Sequence, residues 1–138
     1  MFEIRKSQID GCGLFADRMI RKGEVVVRWA NTIELTVGEY GKLSSNDLKF
    51  IDMQGDKIFL VGEPERYINH SCCPNTVFGQ DAGAACDIAS RDIESGEEIT
   101  SDYGQFYNPN RSFICNCQST NCRKQIIGGD YSRSVIRN

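Results

Sequence analysis

At 138 residues, 40% apolar and 25% charged, the chain has the size and composition of one ordinary globular domain. No apolar run approaches the roughly 20 residues of a membrane helix, and the start, MFEIRKSQIDGCG, lacks the apolar core of a signal peptide. The net charge of −3 argues against direct binding of nucleic acid, which needs a basic face, and suits a cationic partner better.

Taken in chain order, short apolar runs are broken by turn residues. Gly13–Ala16 (GLFA), 23–31 (GEVVVRWAN), 55–63 (GDKIFLVGE), 84–90 (AACDIAS) and 97–104 (EEITSDYG) read as short strands. RKGEVVVRW and ESGEEITSDY each read as a turn leading into a strand. Only 36–53 has partial helical spacing, through Val37, Tyr40, Leu43 and Leu48. Gly41 and the Ser44–Ser45 pair limit any helix there to a couple of turns. No repeat, low-complexity block or linker is present. The expected fold is a single, mainly β domain. The stretch after Cys122 is polar with a Gly128–Gly129 hinge, and is expected to dock only in part.

Four segments stand out chemically. Gly11-x-Gly13 is either a tight turn or a loop whose backbone must approach a ligand closely. It is not a dinucleotide fingerprint, because the third glycine and the helix are missing. RYINHSCCPN, from Arg66 to Asn75, holds the only histidine, His70, beside Asn69 and the pair Cys72–Cys73. Tyr103 follows an acidic strand and is either a half-buried aromatic or a phenol held at an active site. Cys115, Cys117 and Cys122 form C-x-C-x4-C. Three thiolates so close can share one Zn2+, but a structural site wants four ligands at about 2.3 Å. Cys12, Cys72, Cys73 and Cys86 are the candidates for the fourth. Seven cysteines, an odd number, without a leader point to metal thiolates in a reducing compartment rather than to disulfides. The nucleus or the cytoplasm is the expected setting.

Together these segments, S-x-I-x-G-x-G-L-F-A, YINHSCCPN, GEEITSDYG and C-x-C-x4-C in that order, resemble the SET-domain protein-lysine methyltransferases over residues 5–123. The resemblance implies a β-clip fold of small curved sheets, with YINHS threaded near SDYG as a pseudoknot. It implies a SET domain over 1–110, a post-SET zinc segment over 111–125 and a tail over 126–138. It implies S-adenosylmethionine as cofactor, contacted by Asp10, Gly11, Cys12, Gly13, Tyr67, Asn69, His70 and Tyr103. Tyr103 would be the catalytic phenol, and Cys72 would join Cys115, Cys117 and Cys122 on Zn2+. His70 can equally be a structural histidine bonded to backbone. The implied substrate is a lysine-bearing protein, a histone tail or another basic protein, with the enzyme a monomer or homodimer. The alternative is a non-catalytic SET module that binds a peptide or partner protein. Two positions depart from the family pattern. Ser101 stands where an aromatic ring commonly limits the number of methyl groups, and Cys73 follows Cys72 without an evident role.

Overall fold

The computed structural model describes residues 1–103 and 112–127. Gly104, the Gly128–Gly129 hinge and the remainder of the tail lie outside the described residues. Short apolar runs between turn residues become short strands. In chain order these are β1 (Phe2–Lys6), β2 (Cys12–Ala16), β3 (Val25–Arg28), β4 (Ile33–Leu35), β5 (Ile51–Gln54), β6 (Lys57–Leu60), β7 (Asn69–His70), β8 (Thr76–Asp81), β9 (Ala84–Ala89), β10 (Glu98–Ser101), β11 (Ser112–Ile114) and β12 (Gln125–Ile127). The region with helical spacing yields one turn, α1 (Val37–Tyr40), and a 3-10 turn, Asp47–Phe50. Thr36 and Glu39 cap α1 reciprocally, side chain to backbone N–H, at 3.1 and 2.9 Å.

The strands form four small sheets, ordered β1-β2-β10-β7, β3-β9-β8, β4-β6-β5 and β11-β12. Nearly all neighbours are antiparallel. The exception is β7 against β10, which run parallel with Asn69 opposite Thr100 and His70 opposite Ser101. The two segments expected to lie together therefore do so. One core cluster joins the first two sheets through Leu14, Ile20, Val26, Val27, Ile68, Ile93 and Ile99. Leu14, Ile20, Ile93 and Ile99 are fully buried, and each such side chain contributes about 2 kcal/mol by leaving water. Gly96 makes the sharp turn into β10 possible, because its φ of +92° is open to glycine at little cost. A second, smaller cluster of Cys72, Cys115 and Ile126 carries β11 and β12. The start of the tail is thus docked: Ile126 is fully buried and β12 pairs with β11 in register.

β10 is central, and its inward polar residues must be satisfied locally. Asn75 does much of this. Its side chain accepts from Thr100 N at 2.9 Å and donates to Glu98 O at 2.8 Å, completing the strand's hydrogen bonding where β7 ends. Thr76 donates to Thr100 O at 2.9 Å.

Asp87 on β9 is fully buried and accepts from the Trp29 indole N–H at 2.8 Å. Burial pushes its carboxyl up to about 6, against a usual 3.8. Between these values the folded chain holds a proton that the unfolded chain has released. Stability contributed at this site therefore falls as pH rises from about 4 to about 6, and is level above. Asp87→Asn removes that slope. Urea unfolding across pH should show the variant gaining on wild type by on the order of 3 kcal/mol over this window. Parallel pH curves for the two proteins would clear Asp87 of the effect.

Candidate functional site

The parallel pairing of β7 with β10 gathers the sequence's unusual residues around one point. Asn69 projects toward the β1–β2 loop. Its amide donates to Asp10 O (3.0 Å), Cys12 O (3.1 Å) and Glu98 Oε1 (2.9 Å). Ser7 also donates to Glu98, at 2.8 Å. Gly13 is explained by the same carboxylate, since a Cβ there would meet Glu98 Oε1 at 2.2 Å. A side chain at this position would push the Glu98 carboxylate away from Asn69 and Ser7.

His70 is buried and both ring nitrogens have partners. Nδ1 accepts from Tyr103 N at 3.0 Å, which places the ring proton on Nε2, 3.4 Å from Cys72 Sγ. Tyr103 and Phe113 pack edge-on against the imidazole, with centroids 5.5 and 5.4 Å away. The Tyr103 hydroxyl donates to Ile68 O at 2.5 Å.

Two cavities open on this group. The larger, about 370 Å³, is lined by Asp10, Asn69, His70, Tyr103, Phe113 and Asn116 among others. That volume lies within the range of small-molecule sites. The smaller, about 120 Å³, is lined by Trp29, Ile51, Glu65, Ile68, Ser101 and Tyr103 among others. Lys49, Phe50, Arg66 and Tyr103 border both. Arg66 stacks on Phe50 at 4.5 Å and donates to Val61 O at 3.0 Å.

Below the larger cavity, the sulfurs of Cys72, Cys115, Cys117 and Cys122 lie within 4.8 Å of one another. The Cys72–Cys115 separation is 3.9 Å, close to the ~3.8 Å edge of a tetrahedron with zinc–sulfur bonds of about 2.3 Å. Each sulfur also faces a backbone N–H: Arg123 N at Cys72, Cys117 N at Cys115, Cys72 N at Cys117 and Lys124 N at Cys122, at 3.3–3.5 Å. This is the surrounding that thiolates want. Burial pushes the Cys72 and Cys115 thiols up. Burial also opposes ionisation at Cys117, yet hydrogen bonds from Ser119 and from Cys72 N bring it down to about 6. Four ionised sulfurs at such distances require a cation, and the donor set fits Zn2+. Of the four candidates for the fourth ligand, the fold supplies Cys72. Cys12 and Cys73 are exposed, and Cys86 is buried in another sheet.

Asp10, Asn69, His70 and Tyr103 thus line one cavity. Gly11, in the β1–β2 turn, and Cys12 and Gly13, which open β2, follow the cavity-lining Asp10 in the chain. Tyr67 packs against Phe50 and donates to Glu63 at 2.9 Å. Several working residues escaped the sequence reading. Arg123 and Asp102 form a buried ion pair at 2.6 Å that ties the last cysteine to the end of β10. Each flanks a conspicuous residue, Cys122 or Tyr103, but no spacing rule joins two positions so far apart. Glu65, Asn75 and Glu98 likewise gave no periodic signal.

The SET domain family profile matches residues 11–104. Among curated proteins, the Homo sapiens protein named Histone-lysine N-methyltransferase 2D is 31% identical over 140 residues, covering 88% of this chain and 2% of that protein. The Variant-silencing SET domain-containing protein of Plasmodium falciparum (isolate 3D7) is 33% identical over 138 residues, 87% of this chain and 5% of that protein. The chain therefore spans only a few per cent of these relatives' length. Among solved structures, the methyltransferase domain of human Histone-lysine N-methyltransferase SETMAR superposes with a TM-score of 0.67 at 22% identity, over 92% of this chain and 58% of that chain. That likeness is one of fold.

The sulfur geometry predicts about one zinc per chain by elemental analysis. Cys72→Ser should bind markedly less zinc and melt earlier, whereas Cys73→Ser should match wild type in both. The reverse pattern would transfer the ligand role to Cys73.

Proposed function

We propose the following function for a chain that belongs to the SET-domain family: it transfers a methyl group from S-adenosylmethionine to a lysine side chain of a protein. The observation that carries this reading is the pair of cavities bordered by one tyrosine. A transfer between two ligands needs them to meet at one point from different sides. Tyr103 stands at such a point, with its hydroxyl fixed by Ile68 O and its backbone by His70.

The larger cavity suits the cofactor. Asp10, Asn69, His70 and Tyr103 would hold it, with the neighbouring backbone of Gly11, Cys12 and Gly13 and the side of Tyr67 completing the cleft. Bound there, S-adenosylmethionine supplies an electrophilic methyl group on a cationic sulfur. The smaller cavity suits the tip of a narrow side chain, with Trp29, Ile51 and Ile68 as apolar walls. A free lysine has a pKa near 10.4 and is protonated at neutral pH. Apolar walls and a nearby positive charge lower that value, the Glu65 carboxyl in the same cavity opposes them, and the amine must give its proton to solvent before transfer. The residues need not supply a base. Their work is alignment, and Tyr103 does it by offering hydroxyl lone pairs at a fixed position. Ser101, small and buried, leaves space beside the amine that a ring would fill.

Zn2+ on Cys72, Cys115, Cys117 and Cys122 would fasten the C-terminal segment beside the cofactor cleft, because Phe113 and Asn116 line that cleft from the same segment. In this division residues 1–110 are the SET core, and the zinc segment continues at least to the buried Ile126. The substrate would be a basic protein, a histone tail among the candidates, attracted by a chain of net charge −3. The relatives carrying histone-lysine methyltransferase names support that class.

Tyr103→Phe keeps the ring and removes the hydroxyl. Transfer of labelled methyl to a mixed histone substrate should fall by about 10²-fold or more, the usual cost of losing one positioned polar group. Cofactor affinity by calorimetry should stay within a few-fold of wild type. Turnover equal to wild type would remove Tyr103 from the mechanism.

A further inference from the structure

The smaller cavity contains a group that neither the fold nor the alignment role of Tyr103 accounts for. Glu65 is 3% exposed and lines the cavity together with Ser101 and Tyr103. One carboxylate oxygen, Oε2, is fully employed: it accepts from Asn31 N at 3.2 Å and from the Thr32 hydroxyl at 3.0 Å, holding the loop before β4. The other, Oε1, is buried and has no hydrogen-bond partner among the described residues. A buried carboxylate oxygen without a partner has lost its hydration with nothing in return. Asn31 and Thr32 need only one oxygen, so the loop does not explain the second.

The surroundings of Oε1 suggest its complement. The Trp29 indole N–H is spent on Asp87, so the indole ring is what remains to wall the cavity. Arg66 also lines the cavity, but it is occupied by Val61 O, by Asp47 at 3.5 Å and by the Phe50 ring. What is missing is a donor, delivered from outside, small enough for about 120 Å³ and preferably cationic.

We infer that Glu65 is the residue that recognises the target amine: its Oε1 accepts an N–H of the amino group entering this cavity. This rests on the methyl-transfer reading above for the identity of the amine. It adds a limit on the product. In each transfer the nitrogen lone pair forms the new N–C bond, the C–S bond breaks with its electron pair left on sulfur, and one proton has passed to solvent beforehand. The neutral amine about to react keeps two N–H bonds before the first transfer, one before the second and none before the third. Glu65 can hold the first two and not the last. Ser101 leaves room for methyl groups, and Glu65 stops their addition at two.

Glu65→Gln is the informative variant. Its carbonyl oxygen can still receive Asn31 N–H and Thr32, while an NH2 donor replaces Oε1. The probes are n-butylamine and its mono-, di- and trimethylated forms, which mimic the lysine side chain. Binding is followed on the single Trp29 indole N–H resonance of the full chain. The expected result is that wild type binds the three N–H-bearing ammonium ions at least tenfold more tightly than the trimethyl ion. Glu65→Gln should lose that preference and keep wild-type cofactor affinity. Equal binding of all four by wild type, or an unchanged series in Glu65→Gln, overturns the assignment and leaves Glu65 a loop anchor. The methyl-transfer reading fails separately. If the amine series is as expected but no label passes from S-adenosylmethionine to any lysine, Glu65 stands and the transferase does not. If label does pass, mass spectrometry should show dimethyl-lysine as the end point, and abundant trimethyl-lysine would overturn the limit.

Discussion

Two residue pairs, Asn69 opposite Thr100 and His70 opposite Ser101, hold together a site assembled from three distant parts of the chain. A two-residue parallel ladder is weak by itself, since parallel pairing is slightly less stable per residue than antiparallel. It persists because both neighbours reinforce it. Asn75 substitutes for a strand partner just beyond it, and His70 reaches from it to Tyr103 N on one side and Cys72 on the other. Asn69 meanwhile ties it to the carbonyls of Asp10 and Cys12. Take away the pairing and the cavity, the phenol and the cysteine cluster lose their common reference.

Buried charges link the same parts. Asp102 sits buried between His70 and Arg123, 3.7 Å from the imidazole and 2.6 Å from the guanidinium. Arg123 also gives its backbone N–H to Cys72 Sγ. Four thiolates on one Zn2+ would carry net negative charge, and Asp102 would add to it. The buried Arg123 beside both would be the counterion to that charge. Breaking such a pair on one side only leaves a charge stranded, at a cost of about 3–5 kcal/mol. The cysteine segment and the end of β10 are thus mutually dependent, although 21 residues separate Asp102 from Arg123.

The sequence disclosed the site through its rare residues and the fold through its punctuation. One histidine, a C-x-C-x4-C run and a lone Tyr after an acidic strand are conspicuous because few structural roles need them. Gly96 before β10 is conspicuous because the turn demands it. Strand β1 was not legible: FEIRK is largely exposed along its length, so burial imposes no alternation on it. β8, TVFGQD, was hidden by its Gly and its polar residues. The choice of Cys72 over Cys73 followed the family pattern; the fold adds that Cys72 Sγ, and not Cys73, lies within 4.8 Å of the other three sulfurs. Glu65, Asn75, Glu98 and Arg123 are ordinary polar residues whose importance comes only from burial. Burial of a polar side chain is a tertiary property, and a single sequence carries no local mark of it.

The two walls around Tyr103 differ in how firmly they are held, and that difference divides the labour of the site. On one wall, Asn69, His70 and Tyr103 are each fixed by hydrogen bonds to Glu98, Tyr103 N and Ile68 O respectively. A polar group fixed before its ligand arrives needs no reorganisation during reaction, which is what alignment chemistry requires. The other wall is the 3-10 turn Asp47–Phe50, which buries none of its residues; Leu48 is 45% exposed. It presents Lys49 and Phe50 to both cavities and is held by the Arg66 stack, the Asp47 contact, the Tyr67 ring and the Val61 N–H bonded to Phe50 O. Segments with few buried contacts open at low free energy. The firm wall is suited to chemistry that tolerates no displacement. The wall that buries none of its residues is, on the methyl-transfer reading, the one better suited to admitting ligands.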